Sequence, residues 1–394
     1  MYTIKAVNYV YNGANDEFIV HEKDVNSKNR VYNASIVQKI NEIHQFSFTI
    51  NIRQPHYDNL YEKRTHLKVT HVRRSDNRTI IDFDGYISKI QEFMDADGKM
   101  YKNVVCESAL GYFKDSVQTY RPFHFTNTSF VEFIDEFLSV HNSRFLTGDF
   151  RRIKRGEIEN NQPTYNSFTL QYGTSFDILP YILGRFGGEY RIRTEENGLY
   201  FDYYENGISA TSIGTAYPIQ LAINLQSIEK FVDGTQVFNR IFPFGAKFKE
   251  IVNGTEVERE QRLSIGNPPY LESENTASFE RYGTVDRIEI FEDITNDPRN
   301  ATATQSAVDL LKQRAQQMVN TNSRVVTSYK ISAIDLSLIG SGREFELGQR
   351  RRLIVPPMGI DETVRVTQLT IDIDNPQRSS IEVGSATRGI SSLV

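Results

Sequence analysis

The chain has 394 residues, enough for two or three domains each with its own core, and its 39% hydrophobic and 24% charged residues are ordinary for a soluble globular protein. A formal net charge of −5 supplies no general basic field for gripping phosphates, which disfavours stable binding to DNA. The single cysteine, Cys106, excludes an intramolecular disulfide and the usual zinc patterns, and no stretch approaches the ~20 apolar residues of a membrane span.

The opening Met1-Tyr2-Thr3-Ile4-Lys5 lacks the basic-then-apolar plan of a signal peptide, so folding in a reducing cytoplasm is expected. The triplets Asn33-Ala34-Ser35 and Asn253-Gly254-Thr255 are then chance sequon matches. Tyr and Phe are abundant and Trp is absent, a composition that favours strands. Residues 1–110 read as strands and turns: Phe46, Phe48, Ile50 and Ile52 alternate with polar partners along one face, and Leu67 with Val69, then Ile81 with Phe83, repeat the pattern. Asp95-Ala96-Asp97-Gly98-Lys99 resembles a calcium loop but lacks the closing Glu of an EF-hand; Asp-Gly predicts a tight hairpin turn instead. Cys106, in the run Val104-Val105-Cys106, reads as a small buried hydrophobe.

Two helices come next. Phe130, Phe133, Ile134, Phe137 and Leu138 recur at helical spacing behind a capping box of Ser129 and Glu132. The second runs over 175–186, with Phe176, Leu179, Ile182, Leu183 and Phe186 on one side and Gly187-Gly188 as its stop; Pro180 inside it predicts a kink or a later start. A hairpin about Glu196-Asn197-Gly198 follows. Residues 251–283, rich in Gly, Pro, Asn and polar side chains, read as a long loop or an excursion between domains. The longest helix spans 300–319 with Val308, Leu311, Ala315 and Met318 aligned, and strands resume from Ser328.

The last segment repeats the first in the order of its parts. Phe46–Ile52 followed by a basic turn and Leu67-Lys68-Val69 matches Tyr329–Ile334 followed by Arg350-Arg351-Arg352 and Leu353-Ile354-Val355. Gly85-Tyr86-Ile87-Ser88-Lys89-Ile90 matches Val364-Arg365-Val366-Thr367-Gln368-Leu369, and Val104–Ala109 matches Ile381–Ala386. Such a duplication predicts two related β-barrels, and three copies of the chain would then present six similar modules around one axis.

Further residues carry a family resemblance: Asn239-Arg240-Ile241-Phe242-Pro243-Phe244-Gly245-Ala246, Tyr282-Gly283 before Ile288-Glu289-Ile290, the helix 303–319, Ile334-Asp335-Leu336-Ser337, Leu347-Gly348, and Ser380-Ile381-Glu382-Val383-Gly384. In their order and spacing the chain resembles the tail-associated hub of siphophages of Gram-positive bacteria. That hub is the N-terminal structural module of the prophage endopeptidase tail family and is similar to the central baseplate hub of contractile-tailed phages. The resemblance implies an α+β, β-rich, multidomain fold of two related small antiparallel β-barrels plus a mixed α/β lobe. Residues 1–110 would form the first barrel, 222–250 and 324–394 a discontinuous second one, and 111–221 with 251–323 the lobe. It further implies a homotrimer in the virion tail tip, made in the host cytoplasm. The trimer would dock to the distal tail ring and other baseplate or tape-measure proteins, closing the tube until phage DNA passes. Many relatives continue into a peptidoglycan-cleaving domain; this chain ends at Val394, so the lytic part is expected to be absent.

Motifs for chemistry are sparse. The histidines His21, His44, His56, His66, His71, His124 and His141 include no His-Glu-x-x-His pair, neither a Gly-x-Ser-x-Gly elbow nor a Walker loop occurs, and Gly184-Arg185-Phe186-Gly187-Gly188 reads as a helix stop. No catalytic residue, cofactor or metal is therefore assigned. Arg151-Arg152-Ile153-Lys154-Arg155 and Arg350-Arg351-Arg352 either contact DNA or an anionic wall polymer, or are exposed turns paired with acids of a neighbouring subunit; a conduit for DNA favours the second. A peptidoglycan hydrolase and a saccharide-binding baseplate protein remain the alternative functions.

Overall fold

The computed structural model describes residues 2–9, 15–22, 27–73, 77–123, 129–159, 168–170, 172–208, 218–333 and 345–385. They fall into two units, one formed by the described residues up to Glu229 and from Tyr329 onward, the other by residues 230–328. His124 and the segments Ile334–Ser337 and Ala386–Val394 lie outside the described residues.

The first unit begins with β1 (Tyr2–Asn8), β2 (Asp16–His21), β3 (Tyr32–Lys39), β4 (Gln45–Asn51), β5 (Thr65–Val72), β6 (Thr79–Met94) and β7 (Met100–Ser108). Period-two patterning orients them: Phe46, Phe48 and Ile50 of β4 are buried, as are Leu67 and Val69 of β5. Two expected core residues face solvent. Ile52 lies just past the end of β4 and is 52% exposed, and Ile81 is 41% exposed because a bulge opposite Val69 and Thr70 skips Asp82 and turns the strand over. The β6–β7 turn is the expected Asp-Gly hairpin, with Gly98 at φ 75° and Asp95 Oδ1 accepting from the backbone N–H groups of Asp97 and Lys99.

The lobe comprises β8 (Val117–Gln118), β9 (Arg121–Phe123), α1 (Phe130–Asn142), β10 (Ile153–Glu159), β11 (Phe168–Leu170), β12 (Gly173–Thr174), α2 (Ser175–Phe186), β13 (Glu189–Glu195) and β14 (Gly198–Tyr204). Ser129 and Glu132 form the expected capping box, and α1 buries Phe130, Phe133, Ile134, Phe137 and Leu138. Helix α2 starts at Ser175 with no delay, because Thr174 and Asp177 make a second capping box ahead of Pro180. The helices cover the β10-β14-β13 sheet.

After β15 (Ile219–Gln220) and β16 (Leu225–Asp233), the second unit contributes β17 (Arg240–Val252), β18 (Thr255–Ser264), β19 (Leu271–Glu272), α3 (Thr276–Tyr282), β20 (Asp286–Phe291) and α4 (Ala301–Asn322). The expected loop over 251–283 is thus partly a hairpin, turning at Asn253 and Gly254, both at positive φ. Its second strand is mostly exposed and buries Leu263 alone, so it carries no apolar alternation to read. Residues 240–250, expected in the second barrel, pair instead with β18, β19 and β20; residues 251–323 fall in this unit while 111–221 belong to the first.

The chain then returns to the first unit with β21 (Val326–Ala333), β22 (Arg350–Val355), β23 (Ile360–Asp372) and β24 (Ser380–Ser385). One thirteen-stranded sheet results, ordered β16-β21-β24-β23-β3-β4-β7-β6-β5-β1-β2, with β22 on β23 and β15 on β22. Its two halves share one buried cluster, which includes Phe46, Phe48, Val104 and Cys106 together with Ile331, Leu353, Val366 and Val383. Burial pushes the Cys106 thiol up, as expected for a small core hydrophobe.

Candidate functional site

The sheet is built from one motif used twice. Strands β3-β4-β7-β6-β5 and β16-β21-β24-β23-β22 follow the same order, and the match extends to single residues. In the first set the β6–β7 ladder slips between Ile87 and Lys89; in the second, β23–β24 slips between Val366 and Gln368. The bulged residues Ser88 and Thr367 make the same bond, each hydroxyl donating to a carbonyl across the ladder, Val105 at 3.1 Å and Glu382 at 3.2 Å. Ahead of β5 and β22, Lys63 and Gly348 both sit at positive φ and donate their N–H groups to Ile87 and Val366, at 2.8 Å each. The residue pairs given by the bulges are those of the sequence alignment, Ile87 with Val366 and Val104 with Ile381. Inside the chain the halves meet where β3 pairs with the end of β23, Gln368 opposite Lys39 through Asp372 opposite Ser35.

The lobe is fastened to both modules through matched positions. Tyr86 of β6 enters the lobe core, stacked on Tyr112 at 4.9 Å, and its hydroxyl donates to Glu107. Its counterpart Arg365 forms a fork with Glu189 of β13, Nη2 to Oε2 at 2.6 Å, and also donates to the carbonyls of Ile208 and Gly348. The next lobe residue, Tyr190, bonds Asn41 twice, its N–H to the side chain and its hydroxyl to the carbonyl. Between sheet and lobe runs a cleft of about 440 Å³ lined by Gln38, Lys39, Asp82, Asp84, Arg191 and Arg193, among others. On its sheet side His71 Nδ1 contacts Asp82 at 2.6 Å, and His66 joins Asp84 and the Tyr112 hydroxyl. Burial raises the Asp84 carboxyl, but His66, Lys68 and Thr194 outweigh it and hold the group below its ordinary range.

Deeper in the lobe Asp202, fully buried, accepts from Arg193 Nε at 2.8 Å, Arg191 Nε at 3.1 Å and the Glu157 N–H at 2.9 Å. Burial pushes its carboxyl up, and these donors more than reverse the shift. Gly156 is required here, because a Cβ would come within 2.0 Å of Asp202.

A Ser–His contact invisible in the sequence also lies in the lobe. Ser116 Oγ is 2.7 Å from His141 Nδ1 and 2.7 Å from Ser175 Oγ, which accepts from Gln118 Nε2 at 2.8 Å. His141 Nε2 lies 3.0 Å from the Arg151 carbonyl, an acceptor only, so Nε2 carries the proton and Nδ1 accepts from Ser116. The hydroxyls are thereby oriented in one direction along the chain. All four side chains are at most 1% exposed, and burial lowers the His141 pKa to about 4. The group can tie α1, α2 and β8 together, but a serine closed off from solvent meets no substrate.

Most of the basic side chains find partners within the chain, although Arg350 Nε is buried without a hydrogen bond. Arg151 forks onto Asp149, Arg155 reaches Asp135, and Arg352 forks onto Asp361, while Arg152 and Lys154 donate to backbone carbonyls. The histidines are scattered: His21 accepts from the Val31 N–H, His56 stacks on Phe18, and burial lowers His44 to about 4. Among the described residues no group of three or more His, Cys, Asp or Glu could hold a metal ion. Nor, among them, is any helix long and apolar enough to cross a membrane.

Residues 214–394 match the family model described as prophage endopeptidase tail. No curated protein matches the sequence. Among solved structures the chain is similar to prophage tail protein gp18 from Listeria monocytogenes, at 13% identity and TM-score 0.55, covering 98% of this chain and 96% of that one. The 43 kDa tail protein of prophage MuSo2 from Shewanella oneidensis is also similar, at 10% identity and TM-score 0.57, covering 98% and 99%. A tail protein from Neisseria meningitidis is similar at 11% identity and TM-score 0.53, covering 98% and 96%. At identities this low the similarity shows a shared fold alone. The C-terminal part of the chain thus matches the prophage endopeptidase tail model, and the whole chain is similar in fold to prophage tail proteins.

Proposed function

We propose that the protein is a non-enzymatic hub of a phage-type tail tip, a homotrimer whose paired modules, each a small barrel, give a three-chain ring six similar docking faces. The observation that carries this reading is the residue-level duplication. Matched bulges at Ser88 and Thr367, in sheets of the same strand order, allow a three-fold assembly to meet a six-fold tube. The family match over 214–394 supports a place in the tail. Docking to the distal tail ring and closure of the channel until DNA passes belong to the same reading. The cis-neutralised arginines fit it, because phosphate-gripping cations would retard a passing duplex. The sealed Ser116–His141 pair fits a structural role for the lobe.

Light scattering on the purified protein tests the assembly. The expected mass is three times the 45.3 kDa chain, and a monomer at high concentration contradicts it. In a cell-wall zymogram the protein should leave no clearing; clearing would instead establish a hydrolase.

A further inference from the structure

The sealed Ser116–His141 group fixes a piece of surface. Gln118, the last donor in it, is buried and donates to the Phe137 carbonyl at 3.1 Å as well as to Ser175, whose backbone N–H donates to the Ser116 carbonyl at 2.9 Å. A fully satisfied buried network of this kind holds its elements rigidly. Here it pins a ribbon in which β8 pairs with β12 and β9 with β11, and among the described residues neither ladder has a third strand. Side chains alternate along a strand, so with Gln118 turned inward Val117 faces solvent. Tyr120, between β8 and β9, and Tyr172, just ahead of β12, are 53% and 76% exposed, with ring centroids 6.3 Å apart and planes tilted by 32°. Neither phenol hydroxyl has a hydrogen-bond partner among the described residues.

We infer that Tyr120 and Tyr172 form a binding platform for the pyranose rings of a polysaccharide chain. Size argues against a protein partner: even fully covered, two tyrosines and a valine offer well under the ~800 Å² per partner of a standard protein–protein interface. Charge argues against an ionic one, because Arg121 is taken up by Glu136, and Arg144 donates to the Val117 carbonyl at 3.3 Å. A sugar chain fits what remains. The C–H face of a pyranose lies flat on an aromatic ring, while its hydroxyls bond to water and to the phenols at the ring edge. Two rings held by one pinned ribbon are in place before the ligand arrives, so little ordering cost is left for binding. The inference goes beyond the hub reading and does not depend on the number of chains in the assembly.

Affinity electrophoresis of the full-length protein tests it, in native gels that contain soluble hydroxyethyl cellulose, dextran or mannan, with light scattering run alongside. At least one of the three polysaccharides should slow the protein relative to a gel without it, and the retardation at increasing polysaccharide concentration gives the affinity. Tyr120→Ala and Tyr172→Ala should each weaken that affinity roughly three- to tenfold, the size of one aromatic contact. Tyr172→Phe, which keeps the ring, should retain most of it. Tyr32→Ala removes an exposed tyrosine of β3 and should change nothing. Because these side chains lie at the surface, all four variants should keep the circular dichroism and the mass of the unaltered protein. Retardation that Tyr120→Ala and Tyr172→Ala leave unchanged, or that Tyr32→Ala weakens as much, overturns the inference. So does a trimer by light scattering that none of the three polysaccharides slows, an outcome that leaves the hub reading standing.

Discussion

Asp202 and His141 hold the lobe by opposite uses of charge. Asp202 is ionised and fully buried, so removing its charge leaves Arg191 and Arg193 without their shared acceptor. Both guanidiniums are about a third exposed and keep Glu195 and the Tyr204 hydroxyl as partners, so solvent screens them and the cost is on the order of 1–2 kcal/mol. Asp202→Asn should therefore lower the urea midpoint by an amount corresponding to about 1–2 kcal/mol, and a loss below 0.5 kcal/mol would show the cluster to be inert. His141 is held neutral, with a folded pKa near 4 against 6.5 for an ordinary histidine. Between those values the unfolded chain binds a proton that the folded chain refuses, so stability is full above about pH 6.5 and falls as pH drops toward 4, by up to about 3 kcal/mol. His44 acts in the same sense. Asp202 contributes stability that persists to lower pH and is lost only below the ordinary carboxylate range. Urea titrations at pH 7 and pH 4.5 should show a smaller drop for His141→Gln than for the unaltered protein; equal drops would contradict the assignment. Neither group was readable from the sequence. Asp202 is one acid among fifty Asp and Glu residues, and Ser116, His141 and Ser175 are brought together only by folding.

The elements themselves were legible where side chains alternate or recur against a core. Helix α1 with its Ser129–Glu132 box, the Asp-Gly hairpin and the α2 stop at Gly187-Gly188 all follow from local chemistry. What escaped was set by the ladder rather than the side chains. The bulge that turns Ile81 outward depends on register, and β18 is too exposed to show a period. The two bulges that define the repeat make a matched prediction. Ser88→Ala and Thr367→Val each delete one hydroxyl-to-carbonyl bond at equivalent places, so each should cost about 1 kcal/mol by chemical denaturation. Costs differing by more than twofold would mean that the positions are not energetically equivalent.

The duplication was visible in the sequence because β6–β7 and β23–β24 keep the same apolar spacing around the same bulge, although few residues are identical. The partition of the chain was less so. Residues 240–250 look like sheet strands of the second module, yet β17 turns to pair with β18 and β20, a choice made by long-range pairing that composition does not encode. If two equivalent modules per chain exist to build a ring, class averages from negative-stain electron microscopy of the purified full-length protein should show a three-fold particle with six similar densities around a central opening. Single-copy particles, or rings whose densities do not number six, would contradict the account.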